Sequence, residues 1–176
     1  MTKSRILTAV LICIGISGCG PIPKVIKSGD TIEESEGIVV TQLRSNWEGY
    51  KNPLLAKLGY YFHKEDSSIN SGNFFMDRAD DIKVVSLPAG DYKWSHLSFG
   101  NRRLNFSSED GFTVIPQKIV YIGTINAELE LGLFSASAKV TVDNNIDSIK
   151  KQLNIDYPEL IENYEIVETL TDLNPD

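Results

Sequence analysis

Few side chains here are equipped for covalent or metal chemistry, and their spacing decides which chemistry is open to them. Histidine occurs twice, at His63 and His96, and cysteine twice, at Cys13 and Cys19. A zinc site needs three or four converging ligands, usually including short-range pairs such as H-x-H or C-x-x-C. Neither pair is present, so no metal and no other cofactor is expected. Asp77, Asp80 and Asp81 crowd Arg78, but a calcium loop alternates its oxygen ligands around a central glycine. Ion pairing within a loop is the role expected of D-R-A-D-D. Glu33, Glu34 and Glu36 are carboxylates of the type that glycosidases use in pairs, yet a charged run of this kind is expected on a solvated face. Two isolated histidines support no Ser/His/Asp arrangement, and Gly15-Ile16-Ser17-Gly18 breaks the spacing of a nucleophile elbow. A non-enzymatic domain is therefore expected. One constellation argues otherwise: Tyr92, Trp94 and His96 alternate along one run and share a face at period two. Such residues form a cross-strand cluster or, on an exposed face, a platform for sugar or peptide. With loop acids added, the same face would be a hydrolase site.

Cys19 has a different context. Lys3 and Arg5 open the chain, and Ile6 to Ile16 follow without a charge. That run is about half the roughly 20 apolar residues a spanning helix needs. A basic start, a short apolar run and small residues form a secretory signal pattern. Ile16-Ser17-Gly18-Cys19 resembles the bacterial lipobox, in which an apolar residue and two small ones precede a cysteine. The resemblance implies cleavage between Gly18 and Cys19, diacylglycerol on the Cys19 thiol, and acylation of the new amino group. Each buried methylene contributes about 0.8 kcal/mol, so two or three chains anchor durably where one does not. In such lipoproteins an Asp after the cysteine marks retention in the inner membrane. Gly20 stands there, which implies the outer membrane, facing the periplasm. The outer leaflet of the inner membrane and the cell surface are the alternatives.

Cys13 would leave with the signal segment, so no intramolecular disulfide is expected in the mature chain. The 17 basic and 24 acidic residues give a net charge of −7. Residues 143–176 hold nine of the acids against Lys150 and Lys151. Nothing basic clusters in a way that would displace phosphate counterions, which argues against nucleic acid. The acidic stretch is a solvated face or a docking patch for a basic partner. An envelope protein is the partner expected, in addition to the membrane reached through lipid.

The elements that must position these groups read as short strands. Gly20-Pro21-Ile22-Pro23 cannot be helical, and residues 19–36 read as a lipidated start and tether. Strands are expected at Gly37–Leu43, Leu58–His63, Ile82–Leu87, Tyr92–Phe99, Leu104–Phe106 and Phe112–Ile115, separated by turn residues such as Pro88-Ala89-Gly90-Asp91. Lys118–Leu131 alternates, with Ile119, Tyr121, Gly123, Ile125, Ala127 and Leu129 on one face. A second alternating run, Phe134 to Val142, suggests an antiparallel hairpin with an apolar tip at Leu131-Gly132-Leu133-Phe134. Residues 64–81 are the longest stretch without a pattern. Helix is expected late, with Ile146, Ile149 and Leu153 on one stripe and Pro158 in a second first turn. Glu165–Leu170 reads as a last strand or an extended arm, and Asn174-Pro175-Asp176 as a frayed end. The fold class is mainly β: an antiparallel β-sandwich of transthyretin or immunoglobulin type over residues 37–142, with an acidic extension, 143–176, bearing one or two short C-terminal helices and packing on it.

Two stretches carry a family resemblance. Ser86-Leu87-Pro88-Ala89-Gly90-Asp91-Tyr92-Lys93-Trp94 is similar to a turn-and-strand element of transthyretin-like and carboxypeptidase-regulatory-like sandwiches. Residues 111–125, GFTVIPQKIVYIGTI, resemble a stretch of small bacterial lipoproteins of the DUF2846 type. Gln117 stands where glycine is common in such turns. The resemblance implies a sandwich fold and a periplasm-facing lipoprotein, and carries over no catalytic residue.

Overall fold

The computed structural model describes residues 23–47, 57–66, 71–131 and 136–174. The chain is mainly β, with two sheets facing each other across a shared core and two short helices near the C-terminus. The strands are β1 (Lys24–Val25), β2 (Glu36–Ser45), β3 (Gly59–Lys64), β4 (Ser71–Phe75), β5 (Asp80–Pro88), β6 (Gly90–Phe99), β7 (Arg102–Asn105), β8 (Gly111–Val114), β9 (Lys118–Leu131), β10 (Ala136–Asp143) and β11 (Glu165–Glu168). The helices are α1 (Ile146–Asp156) and α2 (Pro158–Asn163).

The larger sheet runs β1-β5-β2-β9-β10, with β11 also on β9. It is mixed, not purely antiparallel, because β9 pairs parallel to both β2 and β11. The smaller sheet runs β4-β3-β6-β7, with β8 also on β6, and is antiparallel throughout. Aromatic side chains of the smaller sheet (Phe62, Phe74, Trp94, Phe112) fill the space between the sheets and meet Val39, Leu43, Val120 and Ile125 of the larger one. Phe62 and Trp94 cross at 90° with centroids 5.8 Å apart, and Tyr92 stacks on Phe112 at 5.2 Å. Pairs of this kind add about 0.5–1.5 kcal/mol each beyond their area burial.

A second apolar layer lies on the opposite face of the larger sheet. Ile149, Leu153 and Leu160 of the two helices cover Ile38, Val40, Ile119 and Tyr121. Covering on both sides explains why β2 is buried continuously from Gly37 to Leu43 without alternation. Ile26, 1% exposed, joins this layer, and β1 pairs with β5 at Lys24↔Ser86 and Val25↔Val85. The segment expected to be a tether up to residue 36 is thus part of the domain from Lys24 onward. The sandwich likewise does not end at residue 142, since β11 completes the larger sheet and Leu173 fills the inter-sheet core.

Strands β9 and β6, one in each sheet, change phase midway. In β9, Val120 and Ile122 face the inter-sheet core, and so do Ile125, Ala127 and Leu129. The switch falls at Gly123, whose φ of 111° forms a bulge against β2 between Val40 and Gln42. The expected single face from Ile119 to Leu129 is therefore wrong: Ile119 and Tyr121 point to the helices instead. The bulge also divides one edge of β9, with β11 on residues 118–121 and β10 on 124–131. A buried polar chain seals it. The Thr41 hydroxyl donates to the Gly123 carbonyl (2.9 Å), Thr124 donates to Gln42 (3.1 Å), and Tyr121 Oη accepts from the Asn145 backbone at the start of α1 (3.0 Å).

Gln117 adopts the left-handed φ of 57° at the turn before β9. Its side-chain amide donates to the Glu33 carbonyl (2.7 Å) and its backbone N–H to Glu36 (2.9 Å). These bonds offset the strain that a glycine would avoid.

Candidate functional site

Strand β3 buries Tyr60 and Phe62, so Tyr61 and His63 project from the outer face of the smaller sheet. Strand β6 buries Tyr92 and Trp94, then Leu97 and Phe99. Its inward positions pass from even to odd numbers at Ser95-His96, where its pairing with β3 shifts register between Tyr61 and Phe62. The bulge turns His96 outward. The expected Tyr92/Trp94/His96 face therefore does not exist: Tyr92 and Trp94 are each 1% exposed, in the inter-sheet core. Their polar atoms are used internally, with Tyr92 Oη donating to the Pro88 carbonyl (2.8 Å) and Trp94 Nε1 to Thr171 Oγ1 (2.7 Å).

His96 instead stands opposite Tyr61 and stacks on it, centroids 4.3 Å apart and planes 8° from parallel. Phe75, 37% exposed, meets the Tyr61 ring at 5.8 Å and 89°. Gly59 makes room for it, because a Cβ there would lie 2.7 Å from Phe75 Cε1. The result is a corner, with one ring over the Gly59 backbone and a stacked pair standing beside it. Across the strands the registers place Phe75, Gly59, Ser98 and Arg103 in one row and Asn73, Tyr61, His96 and Asn105 in the next. Ser95 Oγ lies 3.0 Å from His96 Nδ1, and Arg103 Nε donates to Asn105 Oδ1 at 3.2 Å.

Burial first, and the neighbouring Arg103 second, hold the His96 imidazole below its ordinary value of 6.5. The ring is thus neutral near pH 7, as a stacked partner of Tyr61 should be. A depressed folded value means that the native state binds fewer protons than the unfolded chain below pH 6.5. The stability contributed by the neutral ring is in place above that pH and is lost as pH falls through the folded value. The unfolding midpoint of the wild type should therefore drop relative to that of His96→Gln between about pH 7.5 and 5.5. Parallel curves for the two proteins would remove this role for the ring.

The other sequence-derived candidates settle as follows. Gly18 and Cys19 lie outside the described residues, as do Gly132, Leu133 and Phe134 of the hairpin tip. Asp77, Asp80 and Asp81 are ion-paired: Asp77 with Lys57 and Lys83, Asp81 with Lys83 (2.8 Å) and Arg78 (3.6 Å), Asp80 with Arg44 (3.2 Å). The Lys57 hydrogen bond, with Lys83 assisting, holds the Asp77 carboxyl below its usual range. Glu33 and Glu34 are exposed on a turn and border no cleft formed by described residues. Residues 64–81 are not wholly irregular, since they include β4, the strand that supplies Phe75.

Four clefts of about 260 to 520 Å³ are formed by described residues, and neither histidine borders any of them. No carboxylate hydrogen-bonds either histidine among the described residues, and no group of three His, Cys, Asp or Glu side chains there is placed to hold a metal. No helix among them is long and apolar enough to cross a membrane.

No family model matches the chain, and no curated protein and no solved structure is found similar to it. The likeness to DUF2846-type lipoproteins and transthyretin-like sandwiches rests on its two motifs alone.

Tyr61, Asn73, Phe75, Arg103 and Asn105 were missed as site residues. A signal for the bulge is present in the sequence: apolar residues at 92 and 94 resume at 97 and 99, one place out of step. The position of Phe75 has no such signal, because it depends on β4 pairing with β3.

Proposed function

We propose that this protein is a lipid-anchored, non-enzymatic binding domain of the bacterial envelope, held through Cys19 to the outer membrane and facing the periplasm. Its recognition surface is the outer face of the smaller sheet. The observation that carries the reading is the gathering of both histidines, Tyr61 and Phe75 on one solvent-facing sheet surface. Ring surfaces bordered by amide side chains and a guanidinium suit recognition of a ligand. The anchor is supported by the Ile16-Ser17-Gly18-Cys19 motif behind a basic, apolar leader.

Two measurements test it. Cys19→Ser should abolish incorporation of labelled palmitate and move the protein from the membrane pellet to the soluble fraction, since the acyl chains supply the binding energy. Sedimentation of Cys19→Ser with outer-membrane vesicles at the wild-type level would refute the anchor. A photoreactive residue at Ser98, in the row between Phe75 and Arg103, should form adducts in intact envelopes, and one at Lys150 on α1 should not. Absence of any adduct from position 98 would refute the face.

A further inference from the structure

We infer that the outer face of the smaller sheet binds an anionic glycan, a chain of pyranose rings carrying carboxylate or phosphate groups; this rests on the recognition face proposed above. Backbone groups of the central strands β3 and β6 pair with their neighbours on both sides, so at the corner side chains must do the recognising. They form a corner: the Phe75 ring, with its exposed surface, stands perpendicular to the Tyr61–His96 stack. An apolar ring face bordered by amides and hydroxyls suits a ligand that is itself a ring with one apolar face and polar rims. Asn73, Asn105 and Ser98 flank the corner in the two rows. Two strand spacings, about 10 Å, separate Gly59, beneath the Phe75 ring, from Arg103. That span accommodates one or two sugar rings.

Charge selects the anionic class. Strand positions on this face carry two fixed cations, Arg103 in the rows of the corner and Lys93 farther along β6, beside the neutral His96. The one carboxylate among them, Asp91, is hydrogen-bonded by the Thr113 hydroxyl at 2.6 Å. No carboxylate pairs with Arg103 among the described residues, and its planar guanidinium suits a carboxylate or phosphate. The acids of α1, α2 and β11 lie elsewhere, across the larger sheet, while Glu65, Glu109 and Asp172 border the Asp91 and Lys93 end of this face and not the corner. The two rows of the corner thus hold a cation and no carboxylate, on a chain whose net charge is −7.

Affinity electrophoresis of the mature chain tests this in gels containing polygalacturonate, phosphomannan or neutral dextran. Retardation is expected in at least one of the two anionic gels and not in dextran, and the gel that retards tells a carboxylated from a phosphorylated ligand. Arg103→Gln, at an exposed position, and Tyr61→Ala should each weaken retardation about tenfold or more. Lys150→Gln on α1 removes the same charge and should leave it unchanged. Circular dichroism confirms that each variant is folded. No retardation in either anionic gel overturns the inference, as does retardation that survives Tyr61→Ala, which would mark simple ion exchange. Binding to phosphatidylglycerol vesicles with no glycan retardation also overturns it and assigns the face to a lipid surface. Adducts at position 98 without retardation remove the glycan and leave the recognition face standing. No adducts and no retardation remove both.

Discussion

Ending the chain at Glu168 should abolish cooperative folding, although every strand and helix of the structure lies before that point. Residues 169–174 leave the larger sheet and clasp the smaller one. Backbone N–H groups of Thr169 and Thr171 donate to Tyr121 and Ile122 of β9 at 2.9 and 3.0 Å. Thr171 Oγ1 then accepts from Trp94 Nε1 and donates to the Gly111 carbonyl at 2.6 Å. Leu173, 5% exposed, enters the inter-sheet core. Asn174 donates twice to the buried Asp110 carboxylate, from its backbone (2.5 Å) and from its side-chain amide (3.0 Å). Removing a buried leucine costs about 2–5 kcal/mol. An orphaned Trp94 donor and an orphaned Asp110 carboxylate add about 1–3 kcal/mol each. The total approaches the 5–15 kcal/mol stability typical of a whole domain. Urea unfolding followed by tryptophan fluorescence should show a broad or absent transition for the truncated chain. Thr171→Val isolates one link and should cost about 1–3 kcal/mol with the transition intact. A truncated chain that unfolds at the wild-type urea midpoint would show that the clasp contributes nothing. Asn174, expected to fray with the chain end, is instead pinned by Asp110.

Gly123→Ala is the second large effect, expected to cost about 2–4 kcal/mol. A non-glycine residue held at a sparsely populated positive φ costs on the order of 1–3 kcal/mol, and φ here is 111°. The added Cβ would lie 2.5 Å from Val142 Cγ1. Overpacking of that kind adds about 1–3 kcal/mol unless the neighbour yields. Chemical denaturation of Gly123→Ala and of Gly123→Ala/Val142→Ala separates the two contributions. The second substitution should recover the steric part and leave the backbone part. A Gly123→Ala protein as stable as the wild type would show that the bulge is not needed to set the phase of β9.

The corner at Tyr61, Phe75 and His96 and the clasp at Thr171 share a dependence on pairing between distant segments. Local chemistry was sufficient for much else. Alternating β-branched and aromatic runs separated by proline and glycine turns specified a mainly β chain, because period-two burial is a property of a strand by itself. The Ile146/Ile149/Leu153 stripe and Pro158 specified one or two late helices for the same kind of reason, since a stripe and a first-turn proline are local to a helix. The hairpin of β9 and β10 was legible too, because its strands adjoin in sequence.

Tertiary structure decided what local signals cannot carry. Parallel pairing of β9 with β2 and β11 joins segments with no shared turn, so nothing in either run announces it. The bulges at Gly123 and Ser95-His96 each move every following side chain to the opposite face. Strict alternation therefore grouped His96 with Tyr92 and Trp94, whereas the folded sheet places it with Tyr61 and Phe75. A side chain's type is written in the sequence, but the face it occupies depends on the count of residues between bulges and on the strand lying opposite. That is why ion pairing of Asp77, Asp80 and Asp81 could be expected from residue types, whereas their partners Lys57, Lys83 and Arg44, and the set of side chains on the outer face of the smaller sheet, could not.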